Sequence, residues 1–502
     1  MTLLLFVFVI VLLITAASYF MSTKNKALMT QLITVMILSF IASTCILTYH
    51  NPYHDSAHLL ISLHGAEYVW GETVKFSPHV VAKPGDLAVL KNIVKNSEKV
   101  RIIGSGHSFS PLIVTNDTLI DISELNGVIS FENNVVTALA GTTVEEVQIF
   151  LTQRNRTLHG FGSIHSQTLA GAFSTSLVGT QPTSFASHVT KAWTIDASGV
   201  EHEWTGDDLY YLRNSMGLLG VITSMELTTF PNEYTTHEVQ KLALEELIAM
   251  YASSDAAALD AATSMSQIHE NILTVINTGT GEIKPTEYPR LYQINDFVLY
   301  DVVLMPIFSF FKPQLEIMYY SAINPRDVET ALLGRDMKQF GMTYTDYIIP
   351  IQTCTEAIKE MAKLDVMADP LIRIKYLSEG NTSCLDVTQV PSCRVEVYTP
   401  QNTPDVYEYV GELQRIAVEH GGFVHWGKLF VGNVTTQLER FACYPEFKAR
   451  QNAADPTGKF VNDYLAGVPA EYTEYNGRTW LFHGQLLLTL ILVLVFMCSH
   501  QG

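Results

Sequence analysis

The stretch Val100–Pro111 constrains the fold more than any other part of the chain. Its first residues, Val100–Ile103, form a short apolar run that predicts a buried strand. The strand would end at Gly104-Ser105-Gly106, where two glycines let the backbone turn sharply and point several N–H groups at one anion. His107 follows the turn, within reach of the molecule that carries the anion. The pattern predicts an anion-binding loop, although an ordinary glycine turn with a surface histidine is the alternative.

The length and charge of the chain limit its architecture and its partners. At 502 residues the chain is too long for one hydrophobic core, so two soluble domains with additional segments are expected. The formal net charge of −19 argues against a nucleic-acid partner, because a polyanion would be repelled. Hydrophobic residues make up 47% of the chain and charged residues only 16%, a balance that favours membrane attachment.

Three apolar segments account for this balance, and we expect a transmembrane helix in each of residues 1–20, 27–48 and 480–498. Segments of about 20 apolar residues are long enough to cross a bilayer. A signal peptide or signal anchor is an alternative for the first, although no Lys or Arg precedes its apolar run. A lipid-anchor signal or a buried core helix are alternatives for the third. The lipid bilayer is the partner that these segments predict.

Three features predict that the soluble part faces the lumen of the endoplasmic reticulum or the outside of the cell. Lys24 and Lys26 separate the first two apolar segments, and basic loops favour the cytoplasmic side. Four triplets predict N-glycosylation, at Asn116, Asn155, Asn381 and Asn433. The second soluble half holds an even number of cysteines, which allows two disulfides, with buried free thiols as the alternative. These cysteines are Cys354, Cys384, Cys393 and Cys443.

Alternating strand and helix patterns predict an α+β nucleotide-binding domain over residues 69–232. Capping patterns at Asp86 and Thr143 indicate the starts of two helices. The segment Gln167–Gly179 is rich in small and hydroxyl residues and poor in charge, which favours a buried loop against a polar ligand. A further helix is predicted over residues 208–218.

Mixed strand and helix patterns predict a second α+β domain over residues 233–470, which would carry the substrate site. Strands are expected over residues 272–276, 344–351, 371–377 and 394–398. Helices are expected over residues 326–340 and 404–420, each followed by glycine.

Several segments together resemble the flavoproteins with a PCMH-type FAD-binding domain, in the sugar-1,4-lactone oxidase branch. The resemblance covers Trp70 to Leu465, which is most of the soluble chain. Each segment is short, but their order and spacing together are specific. They are Gly104–Ser110, Gly162–Thr180, Gly217–Thr223, His425-Trp426-Gly427-Lys428 and Asp455–Asp463.

The resemblance implies a two-subdomain FAD-binding fold, followed by a substrate domain. It implies FAD as the cofactor, bonded covalently through His107, and it gives no metal centre. A sugar lactone would give up a hydride to the flavin, and molecular oxygen would reoxidise the flavin. The residues that the resemblance places against the cofactor are Gly104, Ser105, Gly106, His107, Ser108, Ser163, Thr168, Gly171, Thr175, Gly220 and Ile222.

Two departures from the family pattern affect the expected chemistry. The second flavin segment reads Thr175-Ser176-Leu177-Val178-Gly179, so the histidine of the family's Thr-Gly-Thr-His-Gly motif is missing. The family's Glu-x-Arg on a strand facing the flavin is matched by Arg373-Ile374-Lys375, whose outer two side chains would share one face. With Lys428, these two cations are the candidate catalytic residues, and they would stabilise an anionic reduced flavin or bind an anionic substrate. A solvated strand face is the alternative for Arg373 and Lys375.

The sequence as a whole predicts a membrane-anchored FAD-dependent oxidoreductase that oxidises an aldono-1,4-lactone or a related sugar derivative. Because of the altered Arg373/Lys375 pair, we expect low activity or a substrate preference unlike that of the simple lactone oxidases. A flavin dehydrogenase with another acceptor is one alternative. A flavin-binding membrane protein without catalysis is the other.

Overall fold

The computed structural model describes residues 67–68, 73–162, 165–179, 183–242, 249, 262–267, 272–282, 342–364, 371–377, 382–400 and 405–472, all within the unit Ala57–Gly502. The predicted membrane segments 1–20, 27–48 and 480–498 lie outside these ranges, as does the helix predicted over residues 326–340. Across the described part of the chain, no helix is both long enough and apolar enough to span a bilayer.

The first half of the described chain alternates short strands with short helices. Its elements are β1 (Glu67–Tyr68), β2 (Lys75–Phe76), β3 (Val80–Ala82), α1 (Leu87–Asn96), β4 (Val100–Ile103), β5 (Thr118–Asp121), β6 (Val128–Glu132), β7 (Val135–Leu139), α2 (Val144–Thr152), β8 (Arg156–Thr157), α3 (Leu169–Ser174), β9 (Val189–Ile195), β10 (Glu201–Thr205), α4 (Gly206–Leu212), β11 (Val221–Thr228) and β12 (Phe230–Pro231). A parallel sheet has the order β3-β5-β4, and an antiparallel sheet has the order β10-β9-β11-β7-β6. β4 is the strand predicted before the glycine loop.

Side-chain caps fix where α1 and α2 begin, and both predicted caps are confirmed. Asp86 accepts the N–H of Val89 at 2.8 Å. Thr143 and Glu146 form a reciprocal capping box at the start of α2. A cap of this kind contributes about 1 kcal/mol to stability.

Two segments of the first half differ from their predictions. α3 occupies part of the segment Gln167–Gly179, predicted as a loop, because the Thr168 side chain caps it by accepting the N–H of Gly171 at 3.3 Å. α4 ends at Leu212, well before the predicted end at residue 218. The backbone at Asn214 has φ 59°, and a right-handed helix excludes that conformation.

The second half is built around one seven-stranded antiparallel sheet. Its elements are β13 (Glu233–Leu242), β14 (Ala262–Gln267), β15 (Ile272–Glu282), β16 (Met342–Pro350), α5 (Ile351–Met361), β17 (Leu371–Leu377), β18 (Ser392–Pro400), α6 (Val406–Glu419), β19 (Phe423–Val424), α7 (Thr435–Leu438) and α8 (Tyr444–Ala454). The strand order is β13-β15-β14-β17-β18-β16-β19. Buried Tyr347 on β16 donates its hydroxyl to the Val410 carbonyl of α6 at 3.1 Å, which holds this helix on the sheet.

Two disulfides tie the second half together, so the even number of cysteines is explained. Cys354 of α5 is bonded to Cys393 of β18, and Cys384 is bonded to Cys443 at the start of α8. The bonded pairs are separated by 39 and 59 residues. Loops of that length give about 4 kcal/mol of stabilisation each in the chain-entropy account.

The end of the described chain packs against the first half beside the glycine loop. The N–H of Val100 donates to the Lys459 carbonyl at 2.9 Å. The Asn462 amide donates to the Pro111 carbonyl at 2.8 Å. Asp455 accepts the N–H groups of Lys459 and Phe460, both at 2.7 Å. The turn at Asp455 therefore directs the C-terminal segment onto β4 and the residues that follow the loop.

Candidate active site

The loop after β4 packs tightly against the start of α3. Gly106 has φ 68°, a left-handed conformation that glycine adopts without a steric penalty. A Cβ added at Gly104 would lie 2.1 Å from Oγ1 of Thr168, so a larger residue does not fit there. The hydroxyl of Ser105 donates to the carbonyl of Ser166. The loop is therefore held in a turn that depends on glycine at two positions.

This loop forms one wall of a cleft of about 830 Å³, counting the open space at its mouth. The other walls are α3 and the entry to β11, both distant from the loop in sequence. Of the eleven predicted cofactor residues, Ser163 lies outside the described residues. The other ten all line the cleft: Gly104, Ser105, Gly106, His107, Ser108, Thr168, Gly171, Thr175, Gly220 and Ile222.

The entry to β11 also depends on glycine. Gly220 has φ 123°, and a Cβ there would lie 2.6 Å from the Ile195 carbonyl oxygen of β9. Ile222 follows in β11, where it pairs with Thr194. Close contact between the two strands brings the third predicted flavin segment into the cleft wall.

Arg101 is a buried cation on the cleft that the sequence reasoning missed. Its three donating nitrogens bind carbonyls of Leu112 (2.5 Å), Phe460 (2.5 Å) and Met216 (2.9 Å). Burial lowers the pKa of Arg101 to about 10, so the guanidinium stays charged. Among the described residues no carboxylate forms an ion pair with it. The cleft therefore has a positive charge beneath its lining that no carboxylate of the described residues neutralises.

The segment His425–Lys428 lies directly against the glycine loop. The N–H of Phe109 donates to the Gly427 carbonyl at 2.9 Å, and the hydroxyl of Ser110 donates to the Trp426 carbonyl at 2.6 Å. A Cβ at Gly427 would lie 3.3 Å from Oγ of Ser108. The C-terminal signature therefore contacts the first cofactor segment through its backbone.

His425 connects this signature to the segment that follows α3. Its Nδ1 accepts the N–H of Gly427 at 3.1 Å, and its Nε2 lies 2.9 Å from the Ser176 carbonyl, so the proton is assigned to Nε2. Burial, together with the positive charges of Arg394 and Lys428, holds the pKa of His425 well below its usual range. The imidazole is therefore neutral near pH 7.

Lys428 is half-buried and lies over aromatic rings. Its Nζ is 3.7 Å from the centroid of the Tyr344 ring and 5.6 Å from that of Phe109. Tyr344 stacks on Tyr398 with ring centroids 4.4 Å apart. The ammonium group of Lys428 therefore lies near Phe109, the residue that follows His107 and Ser108 in the loop.

Arg373 and Lys375 lie on β17, at the centre of the seven-stranded sheet. In the register of β17 and β18, Arg373 is opposite Glu396 and Lys375 is opposite Arg394. On the far side of β18, Asp346 of β16 is opposite Glu396. Lys375 is only 3% exposed, so it is not on a solvated strand face; the side chain of Arg373 is not among those the structure describes. Strand register thus brings acidic and basic residues of three strands into one cluster.

This charged sheet face, made of Lys375, Arg394, Glu396 and Asp346, is buried throughout. Arg394 Nε lies 2.8 Å from Asp346 Oδ2 and 3.1 Å from Glu396 Oε1. Nζ of Lys375 lies 3.9 Å from Glu396 Oε1. Burial alone would lower the pKa of Arg394. The negative charges of Asp346 and Glu396 have the larger effect together, and they raise this pKa well above its ordinary value. Burial raises the pKa of Asp346.

Sequence reasoning missed Arg394, Glu396 and Asp346 because it assigned the charged positions of the site to β17 alone. A signal was present in the alternation Arg394-Val395-Glu396-Val397-Tyr398, in which charged or aromatic residues occupy one face of a buried strand. Charged residues at alternate positions between valines indicate a polar face that is not solvated. The carboxylate that β17 lacks relative to the family pattern is thus present on the neighbouring strand.

Two family models match parts of the chain, and two named relatives are similar to most of it. Residues 78–204 match the family described as FAD binding domain, and residues 317–468 match D-arabinono-1,4-lactone oxidase. L-gulono-1,4-lactone dehydrogenase of Mycobacterium tuberculosis is 23% identical over 437 residues, covering 78% of this chain and 96% of the relative. L-gulonolactone oxidase of Mus musculus is 21% identical over 442 residues, covering 80% of this chain and 97% of the relative.

Solved structures share the architecture over most of the chain. Cholesterol oxidase from Brevibacterium sterolicum gives a TM-score of 0.60 at 14% identity, over 81% of this chain and 97% of that chain. Xylooligosaccharide oxidase from Myceliophthora thermophila gives a TM-score of 0.58 at 11% identity, over 80% of this chain and 94% of that chain. At these identities the likeness concerns the fold alone; together with the match to the FAD binding domain family, it confirms the predicted FAD-binding fold.

Proposed function

We propose that this chain, an FAD-dependent oxidoreductase that matches the sugar-1,4-lactone oxidase branch of the PCMH-type flavoproteins, oxidises an aldono-1,4-lactone or a related sugar derivative. The observation that carries the proposal is the single cleft that ten predicted cofactor residues line. Molecular oxygen is the proposed acceptor. A dehydrogenase with another acceptor is the second candidate, because one relative is named a dehydrogenase and another an oxidase.

FAD is proposed to lie in this cleft with its diphosphate at the loop Gly104–Ser108. Three features of the cleft fit such a ligand. Glycine lets the backbone approach closely, the hydroxyl residues Thr168 and Thr175 stand on the lining, and Arg101 supplies a positive charge. When bound, FAD supplies hydride acceptance. His107, next in the loop, is the proposed point of covalent attachment to the flavin.

Lys428 is proposed as the cation closest to the substrate, because it is half-buried beside the loop that carries His107. A cation at this position would stabilise negative charge that develops during oxidation. Arg373 and Lys375 of β17 complete the proposed set, Arg373 as a second cation and Lys375 through the backbone, since its ammonium group lies near Glu396 and donates to the Gly179 carbonyl. We retain the expectation that the substrate preference differs from that of simple lactone oxidases, since these two positions depart from the family pattern.

Membrane anchoring and a lumenal or extracellular location complete the proposal. The apolar segments at 1–20, 27–48 and 480–498 support anchoring. The two disulfides support an oxidising compartment. Asn116 and Asn155 are exposed, as glycosylated asparagines must be. Mapping glycans and protease-protected regions in intact membrane vesicles would test this arrangement, and unmodified, cytoplasm-exposed Asn116 and Asn155 would refute it.

The function is tested by the colour of the purified full-length protein and by its response to sugar lactones. We expect a flavin absorption spectrum that L-gulono-, L-galactono- or D-arabinono-1,4-lactone bleaches under anaerobic conditions. Release of hydrogen peroxide on admission of air would favour the oxidase, and bleaching without peroxide would favour the dehydrogenase. A yellow protein that no sugar lactone or alditol bleaches would refute the enzymatic proposal in favour of flavin binding without catalysis.

A further inference from the structure

Three buried side chains from the second half of the chain donate hydrogen bonds to one short segment after α3, residues 176–179. The three donors are at most 4% exposed, and they come from β17, β18 and the turn after β19. They bind three carbonyls within four residues, so the segment is held along its length. The pairs are His425 Nε2 to the Ser176 carbonyl at 2.9 Å, Arg394 Nη1 to the Val178 carbonyl at 3.0 Å, and Lys375 Nζ to the Gly179 carbonyl at 3.3 Å.

The segment 176–179 begins at the edge of the cleft, because Ser174 and Thr175 line it. Ser176 has φ 58°, a left-handed conformation that costs a residue with a side chain about 1–2 kcal/mol. Its N–H donates to Oδ1 of Asn214 at 2.9 Å, and its carbonyl is bound by His425. Partners on both sides of Ser176 therefore hold a strained backbone next to the cleft wall.

The charges of two of the donors are balanced inside the protein. Arg394 binds Asp346 and Glu396, and Lys375 lies near Glu396. A buried network with shared partners fixes its members in one geometry. The guanidinium of Arg394 is therefore held in one position when it donates to the Val178 carbonyl. The register of β16, β17 and β18 determines that position.

We propose that His425, Arg394 and Lys375 are positioning residues: by holding the carbonyls of segment 176–179, the second half of the chain sets the cleft wall against which the flavin lies. The inference rests on the proposed function, since it takes FAD as the ligand of the cleft. The three side chains act on the flavin through the backbone of this segment. Loss of one of these bonds should alter the environment of the flavin more than the binding of the lactone.

The test compares purified full-length variants by flavin content, visible circular dichroism of the flavin and steady-state kinetics. His425→Leu removes a neutral donor and leaves no buried charge behind, whereas His425→Gln retains an N–H donor. Arg394→Lys keeps the charge but loses the fixed geometry of the guanidinium. His202→Leu and Arg415→Lys are matched controls, because both side chains are more than 45% exposed.

His425→Leu should change the visible circular dichroism of the flavin and lower kcat about fivefold, which corresponds to one hydrogen bond, with an unchanged KM for the lactone. His425→Gln should restore most of the loss, and Arg394→Lys should shift both readouts in the same direction as His425→Leu. Folded His425→Leu and Arg394→Lys variants with the spectrum and kcat of the controls would overturn the inference. If Arg394→Lys does not fold, His425→Leu decides. A parent protein without flavin would refute the proposed function instead, so the two failures are distinguishable.

Discussion

Segment 176–179 begins at the edge of the cleft and is bound by the charged sheet face, and these two regions are built in opposite ways. The cleft is lined by glycine, small hydroxyl residues and backbone, and its buried cation, Arg101, has no carboxylate partner among the described residues. The charged face carries Lys375 and Arg394 with Glu396 and Asp346 as their partners. The cleft is therefore suited to an external anion, whereas the charged face neutralises itself and positions its neighbours.

Gly104→Ala gives the largest expected effect and tests the backbone character of the cleft. The added Cβ would lie 2.1 Å from Oγ1 of Thr168, so the loop has to move and we expect almost no bound flavin. Gly85→Ala is the control, because nothing lies within 4 Å of its added Cβ. Flavin content by absorbance of the purified protein is the measurement. Full flavin content in Gly104→Ala would contradict the claim that the cleft depends on close approach of its backbone.

Glu396→Gln tests the claim that the charged face neutralises itself. Removing one partner from a buried ionic network costs about 3–5 kcal/mol, because Arg394 and Lys375 lose a shared counter-charge. The free energy of unfolding, measured with urea, should fall by that amount. Glu412→Gln removes an exposed partner of Arg415 and should stay within about 0.5 kcal/mol of the parent. Equal losses in the two variants would contradict the claim.

Arg101→Met tests whether the unneutralised cation of the cleft serves the cofactor. A charged hydrogen-bonding group is worth about 1.5–3 kcal/mol, so the flavin content per chain of the purified protein should fall about tenfold or more. Arg101→Lys keeps the charge and should retain more flavin than Arg101→Met. Exposed Arg154, replaced by Met, is the control. Identical retention in Arg101→Lys and Arg101→Met would show that the charge is not used.

The smallest effect concerns pH and compares one histidine from each half. Burial, then His159 and Arg213, lower the pKa of His188 from 6.5 to about 4, and burial holds that of His425 well below its usual range. As the pH is lowered, each histidine takes up a proton in the unfolded chain at a higher pH than in the folded protein. The contribution to stability should therefore be full above pH 6.5 and fall as the pH is lowered towards 4. His188→Gln should flatten part of this dependence in urea midpoints measured from pH 7.5 to 4.5. A slope unchanged by the substitution would contradict the assignment to His188.

The sequence predicts the glycine loop of the cleft and the cap of α2 well, because both are local. Gly104, Gly106 and the threonine cap at Thr143 are encoded by neighbours a few residues apart, and the family resemblance adds their order along the chain. Segment 167–179 was harder, since the helix α3 depends on a single cap at Thr168. The end of α4 was missed because positive φ at Asn214 leaves no simple pattern in the sequence.

The charged sheet face could not be predicted in the same way, because it arises from strand register. Glu396 and Arg373 become opposite each other only when β17 pairs with β18, and Asp346 joins them from β16. Arg101 is a similar case, since its carbonyl partners lie at Leu112, Met216 and Phe460. Contacts of long sequence separation fix these groups, and the alternation on β18 indicates a buried polar face without identifying its partners.

The most direct test of the account is to denature the purified full-length protein, digest it and determine where the flavin is found. The account predicts about one flavin per chain, since one cleft is proposed to hold the cofactor, attached to the peptide that contains His107. Flavin released free, at the same stoichiometry, would remove the covalent bond and leave the cleft as its binding site. A protein that contains no flavin in either fraction would contradict the central claim that the loop at Gly104–Ser108 binds the cofactor's diphosphate.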